Sequence, residues 1–183
     1  MHLVKAGGAE FPAIGLGTYT LKGDQCRDLV AHALDVGYRH IDTAALYDNE
    51  AAVGEGLRAS ATPRDDIFLT TKVWYTEIGA RALEASAEAS LKRLGLDHVD
   101  LLLIHWPNPE VPLAESIGAL NRVRERGLTR HIGVSNFTRP LLEQAVALSA
   151  APLVCNQAEY HPQLNQSALL TTMRKQRHSV RVA

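Results

Sequence analysis

Short runs of apolar residues alternate along the chain with longer stretches in which apolar positions recur every three or four residues. The short runs read as strands at 14–18, 40–43, 67–73, 99–105, 131–135 and 153–157. The longer stretches read as helices at 24–36, 49–60, 79–94, 113–126 and 139–148, with a sixth starting near Ser167. Strand and helix in regular alternation predict a parallel sheet wrapped by helices. In the third helix Leu83, Ala87, Leu91 and Leu94 fall at intervals of three and four, and Gly95 stands where a left-handed C-cap belongs. The run VDLLLI is apolar almost without interruption, as expected of a central parallel strand covered on both faces.

The two ends of the chain read differently. Residues 3–12 form two short extended segments around Gly7 and Gly8, which suggests a β-hairpin able to plug the bottom of a barrel. At the other end MRKQRHSVRVA is dense in Lys, Arg and His, and Val180 and Val182 alternate with Ser179 and Arg181. That pattern suits an edge strand or a stub better than a buried strand.

A polar residue closes nearly every strand: Asp42, Lys72, His105, Ser135 with Asn136, and Gln157. Parallel strands joined by right-handed crossovers all end on one side, so these residues should share a face. Two strands flank the switch point of an open doubly wound sheet, whereas the strand ends of a barrel all contribute. Five polar strand ends favour the barrel. The turn GLGTYTLKGD points the same way, because Gly15 and Gly17 match only half of GxGxxG and Thr20 holds the third glycine position.

Composition narrows the function classes. Lys+Arg 19 against Asp+Glu 20 leaves a net charge of -1, which offers no basic footprint for nucleic acid and no polybasic membrane patch. Cys26 and Cys155 lie outside any CxxC spacing and read as small buried hydrophobes. MHLVKAGG carries no long apolar signal-peptide core, and no apolar run approaches the ~20 residues of a membrane span. A small-molecule partner and a cytoplasmic location are the expectations. No linker or low-complexity tract divides the 183 residues, so 1–183 reads as one domain.

Asp42, Tyr47, Lys72 and His105 together suit general acid chemistry on a carbonyl. A nearby ammonium stabilises a phenolate and makes a phenol a better acid, and Lys72 can supply that ammonium. A buried ammonium needs a counter-charge, which Asp42 can provide. A neutral His105 can donate a hydrogen bond to a carbonyl oxygen and orient it. A metal-dependent hydrolase using Asp42, His105 and His161 is the weaker reading. The sequence has no HxH pair at a strand end and no close ligand cluster, so no metal is expected.

The segments GLGTY, HIDTAALYDNEAAVG, LTTKVW, LLLIHWP, IGVSNF and NQAEYHP occur in this order and span residues 15–162. In them the chain resembles the aldo-keto reductase superfamily, most nearly its bacterial 2,5-diketo-D-gluconate reductase branch, which also reduces methylglyoxal. The resemblance implies a TIM-type (β/α)8 barrel, NADPH as cofactor and an aldehyde or ketone as substrate. It assigns Asp42, Tyr47, Lys72 and His105 to a catalytic tetrad with Tyr47 as proton donor. Ser135, Asn136 and Gln157 match positions that bind the nicotinamide carboxamide, and Tyr19, Trp74 and Trp106 match aromatic positions around the substrate. Glu159 and His161 also belong to a family motif and are taken as structural.

Length departs from this pattern. A complete barrel takes ~250 residues, with ~200 near the lower limit, so about six strand-helix units are expected here. The chain therefore reads as an incomplete, C-terminally truncated barrel in which the family's adenosine-phosphate clamp is missing. An incomplete barrel exposes strand edges, which predicts self-association or poor solubility where relatives are monomeric. The alternative to an active reductase is a non-catalytic cofactor-binding module or an inert fragment.

Overall fold

The computed structural model describes residues 2–175 and 179–182. The chain opens with β1 (Leu3–Ala6) and β2 (Ala9–Pro12), an antiparallel pair. Gly7 and Gly8 join them at φ 56° and 87°, the two positive values that a tight two-residue hairpin turn requires.

Seven strands then form one parallel sheet: β3 (Leu16–Gly17), β4 (His40–Asp42), β5 (Phe68–Val73), β6 (Val99–Ile104), β7 (Thr129–Ser135), β8 (Leu153–Ala158) and β9 (Ser179–Val182). Their spatial order follows the chain, with β3 and β9 at the edges. Six helices connect them: α1 (Gly23–Asp35), α2 (Glu50–Ala59), α3 (Ala80–Leu94), α4 (Leu113–Glu125), α5 (Arg139–Leu148) and α6 (Ser167–Lys175). The sheet curls, bringing the end of β8 within hydrogen-bond reach of β4, so the strands form an incomplete barrel as expected. The tail strand is an edge strand, paired parallel to β8.

One expected strand is much shorter than its pattern. The run 14–18 yields only Leu16–Gly17, because Ile14 is 72% exposed and takes no part in the sheet. The extended chain ends in a last backbone bond from Thr18 N to Asp42 O, 2.9 Å, before it turns.

Side-chain alternation along β6 explains its unbroken hydrophobicity. Leu102 and Ile104 join the core between sheet and helices, which includes Leu83, Leu91 and Leu94 of α3. Leu101 and Leu103 face the other way and pack with Ala6, Ala9 and Phe11 of the hairpin and with Val154 and Cys155 of β8. The hairpin thus fills the barrel interior from below, and each fully buried leucine contributes roughly 1.5–3 kcal/mol. Asp100, the polar residue in this strand, is 3% exposed and bonded to Leu69 N and to both Arg64 and Arg130. Cys26 and Cys155 are both buried in the apolar cores, consistent with the packing role expected of them. Among the described residues no helix is long and apolar enough to cross a membrane.

Candidate active site

Pairing register sets where the polar strand ends fall. Asp42 lies opposite Thr70, so Lys72 stands one side-chain repeat further along the same face of β5. Ser135 and Gln157 are directly paired across β7 and β8. Beyond β4 the chain passes through a 3-10 turn at Ala45–Tyr47, then Asp48 adopts φ 51° and reverses it into α2. Tyr47 is carried back over the end of β5 by this reversal.

The Lys72 ammonium is the hub. Its residue is 1% exposed, and Nζ donates to Asp42 Oδ1, to Thr43 O at 2.8 Å and to Tyr47 Oη at 3.3 Å. All three ammonium hydrogens are used, which compensates the cost of burying the charge. Because the Tyr47 oxygen accepts from Lys72, its own O–H remains available to donate elsewhere. The ammonium also lies 4.9 Å from the Tyr47 ring centroid.

Burial by itself raises the Asp42 carboxyl. The charges of Lys72 and His40, together with hydrogen bonds from Lys72 and from Gln157 Nε2 at 2.8 Å, outweigh it and hold the group below the ordinary carboxylate value. Asp42 is therefore the anionic partner of the hub.

His105 follows β6 and is 8% exposed. Its ring stands edge-on to Tyr47 at 5.6 Å and to Trp74 at 5.2 Å. Burial, reinforced by the Lys72 charge and opposed by Asp42, pushes the imidazole down to about 4. The ring is thus neutral near pH 7, and its buried Nδ1 has no hydrogen-bond partner among the described residues.

Asn136, at φ 62°, turns its side chain back so that Nδ2 donates to His105 O at 2.9 Å and to Ser135 Oγ at 3.0 Å. Gln157 reaches across to Asp42 as described. The ten expected residues divide accordingly. Asp42, Tyr47, Lys72, His105, Gln157 and Trp74 meet directly, Ser135 and Asn136 join through His105 O, and Tyr19 stacks on Tyr47 at 5.1 Å. Trp106 is 47% exposed and makes no described contact with the cluster.

Two residues outside the expected set belong to it: Thr43, through its carbonyl, and Asn49, whose side chain holds Thr43. Backbone carbonyls carry no sequence signal, and the sequence places Asn49 only as the first residue of the helix at 49–60. Glu159 and His161 are exposed and pair with each other at 3.0 Å, with Gln166 and Gln163 bonded to them, so they shape the loop after β8. A separate apolar cavity of about 330 Å³, lined by Ile78, Pro107, Val111, Leu113, Phe137 and Leu141, contains none of the cluster. Among the described residues no three His, Cys, Asp or Glu side chains are grouped to hold a metal ion.

Comparison with known proteins places this architecture. Residues 13–183 match the model of the Aldo/keto reductase family. Methylglyoxal reductase DkgB of Escherichia coli O157:H7 is 48% identical over 156 residues, 84% of this chain and 58% of that protein. An aldo-keto reductase of Mycolicibacterium smegmatis is 48% identical over 159 residues, 86% of this chain and 56% of that one. The chain thus spans little more than half the length of these relatives. A crystal structure described provisionally as a 2,5-diketo-D-gluconic acid reductase B superposes with a TM-score of 0.98 at 49% identity, covering 100% of this chain and 65% of that one. The Bombyx mori aldo-keto reductase in complex with NADP gives 0.92 at 33% identity, covering 99% and 65%. With the family model matched over residues 13–183 and relatives nearly half identical over more than four-fifths of its length, the chain belongs to the aldo/keto reductase family.

Proposed function

We propose that this chain reduces an aldehyde or ketone to the alcohol with NADPH, using Tyr47 as general acid. The observation that carries the reading is the spent Lys72 ammonium: it donates to the Tyr47 oxygen and leaves the phenolic proton free to move. When bound, a reduced nicotinamide supplies the hydride. Tyr47 gives its proton to the substrate oxygen, and the resulting phenolate stays beside Lys72, whose charge Asp42 balances. Neutral His105 donates to the same oxygen and fixes the carbonyl between imidazole and phenol. Tyr19, Trp74 and Trp106 form the aromatic side of the substrate space.

The donor set fits a nicotinamide carboxamide. Asn136 has committed both N–H groups, to His105 O and Ser135 Oγ, and Gln157 one of its two, to Asp42, and their two amide oxygens are left as acceptors. Ser135 Oγ accepts from Asn136 and keeps its O–H as a donor. Two acceptors and one donor complement the NH2 and carbonyl of a primary carboxamide. The NADP complex of the Bombyx mori relative supports the choice of cofactor, and the E. coli relative supports methylglyoxal as a first substrate to try.

The test is to titrate NADPH into the protein and follow its fluorescence with and without methylglyoxal. Oxidation that needs both protein and carbonyl is expected. Binding without oxidation by any small carbonyl favours a non-catalytic cofactor-binding module, and neither binding nor oxidation sinks both readings.

A further inference from the structure

Asn49 stands at the N-cap of α2, where an asparagine side chain ordinarily accepts a hydrogen bond from the first turn of its own helix. Here it makes no such bond, and the helix takes only its backbone carbonyl, which accepts from Val53 N at 2.9 Å. The side chain is 4% exposed and every one of its groups is used elsewhere. Nδ2 donates to Thr18 O at 2.8 Å and to Leu21 O at 3.0 Å, and Oδ1 accepts from Thr43 Oγ1 at 2.9 Å.

The two carbonyls it holds bracket a strained turn. Leu21 N donates to Thr18 O at 3.1 Å, closing residues 18–21 into a β-turn. Thr20, third in that turn, has φ 71°. This position calls for glycine, and a β-branched threonine adopts the left-handed region only under constraint. Tyr19, second in the turn, is thereby set with its ring 5.1 Å from that of Tyr47. Asn49 also grips Thr43, whose carbonyl is one of the three partners of Lys72. One side chain therefore spans the aromatic wall and the base of the tetrad.

We infer that Asn49 is a positioning residue that pins the Tyr19–Thr20 turn against Tyr47 and so sets the width of the substrate space. The inference rests on the proposed reductase reading for its kinetic consequence, while its structural core stands independently. Without the pin, Thr20 relaxes out of the left-handed region, the turn opens and Tyr19 leaves Tyr47. Substrate binding then weakens while the proton donor and its ammonium remain in place.

Asn49→Ala and Asn49→Asp test this, the second keeping an acceptor for Thr43 while deleting both donated bonds, so it serves if the alanine variant fails to fold. Amide hydrogen exchange at Leu21 is expected to accelerate at least about tenfold, with Leu102 in β6 unchanged. The KM for a small carbonyl should rise about tenfold with kcat within about threefold of the parent. Adding Thr20→Gly to Asn49→Asp should restore most of the lost KM and Leu21 protection, because glycine holds this turn without a pin. Unchanged Leu21 exchange, equal acceleration at Leu102, an unchanged KM or no rescue by Thr20→Gly overturns the inference. If the parent protein reduces no carbonyl at all, the reductase reading fails, and the exchange measurements and their rescue still decide the role of Asn49.

Discussion

Gln157 donates to Asp42 across 2.8 Å although 115 positions separate the two in sequence. Their strands, β8 and β4, stand four places apart in the sheet. In a flat sheet that is about 19 Å, so the contact exists only because the sheet curls its strand ends toward one another. Gln157→Leu should let the Asp42 carboxyl rise toward its ordinary value, yet not reach it while Lys72 remains. Carbon NMR titration of that carboxyl measures the change, and no change would mean the bond is electrostatically idle.

Tyr47→Phe deletes the proposed acid and keeps the ring that packs on Tyr19 and His105. Turnover should fall about a hundred- to ten-thousandfold, the usual worth of a general acid. NADPH affinity should stay within about threefold of the parent value, because no carboxamide contact is removed. Fluorescence titration and steady-state kinetics on the same preparation check both, and a parallel loss of binding would assign Tyr47 another role.

His105 makes stability depend on pH in a defined window. Its folded value of about 4 lies below the ordinary 6.5, so the unfolded chain binds more protons between those limits. The stabilisation is fully present above pH 6.5 and is lost as pH falls toward 4, by about 3 kcal/mol at most. Half-buried His131 is shifted in the same direction and adds to the effect. Below pH 4 the depressed Asp42 continues the loss as it gains its proton. Urea unfolding from pH 7 to 4 should show the decline, and His105→Gln should flatten it.

Gly54 inverts the usual propensity rule. It lies inside α2, where alanine is ordinarily about 1 kcal/mol better. A Cβ at this position would sit 2.1 Å from the carbonyl oxygen of Leu94, in the backbone of α3. The helices must then separate, so Gly54→Ala should lower stability by about 2 kcal/mol, within the range of overpacked cores. A urea midpoint at or above that of the parent would contradict the close approach.

Apolar patterning made the long elements legible, because α3 buries one face whose spacing is written in its leucines and β6 is apolar almost throughout, being covered on both faces. It failed at residues 14–18, where two glycines interrupt the run and only Leu16–Gly17 pair with β4 as strand residues before Thr18 makes a last backbone bond. Asp42, Lys72 and His105 were legible as polar residues at strand ends, and Tyr47 as a phenol on the loop beyond one of them. Their hydrogen-bond partners were less so: the Thr43 carbonyl is common to every residue type, and the Gln157 contact depends on curl rather than on neighbouring residues. Asn49 was hidden because the apolar pattern places it only at the start of a helix, and its contacts to Thr18, Leu21 and Thr43 depend on how the loops after β3 and β4 fold together.

The hairpin at the barrel floor has a consequence for how the protein is made. Ala6, Ala9 and Phe11 leave the ribosome well before Val154 and Cys155, which are among their partners. At about 5–20 residues per second, those partners follow roughly 10–30 seconds later. During that interval Phe11, 1% exposed in the finished fold, has no cavity to enter and is a natural target for a chaperone on the nascent chain. The hairpin is thus made long before the last of its partners and is seated only when β8 arrives.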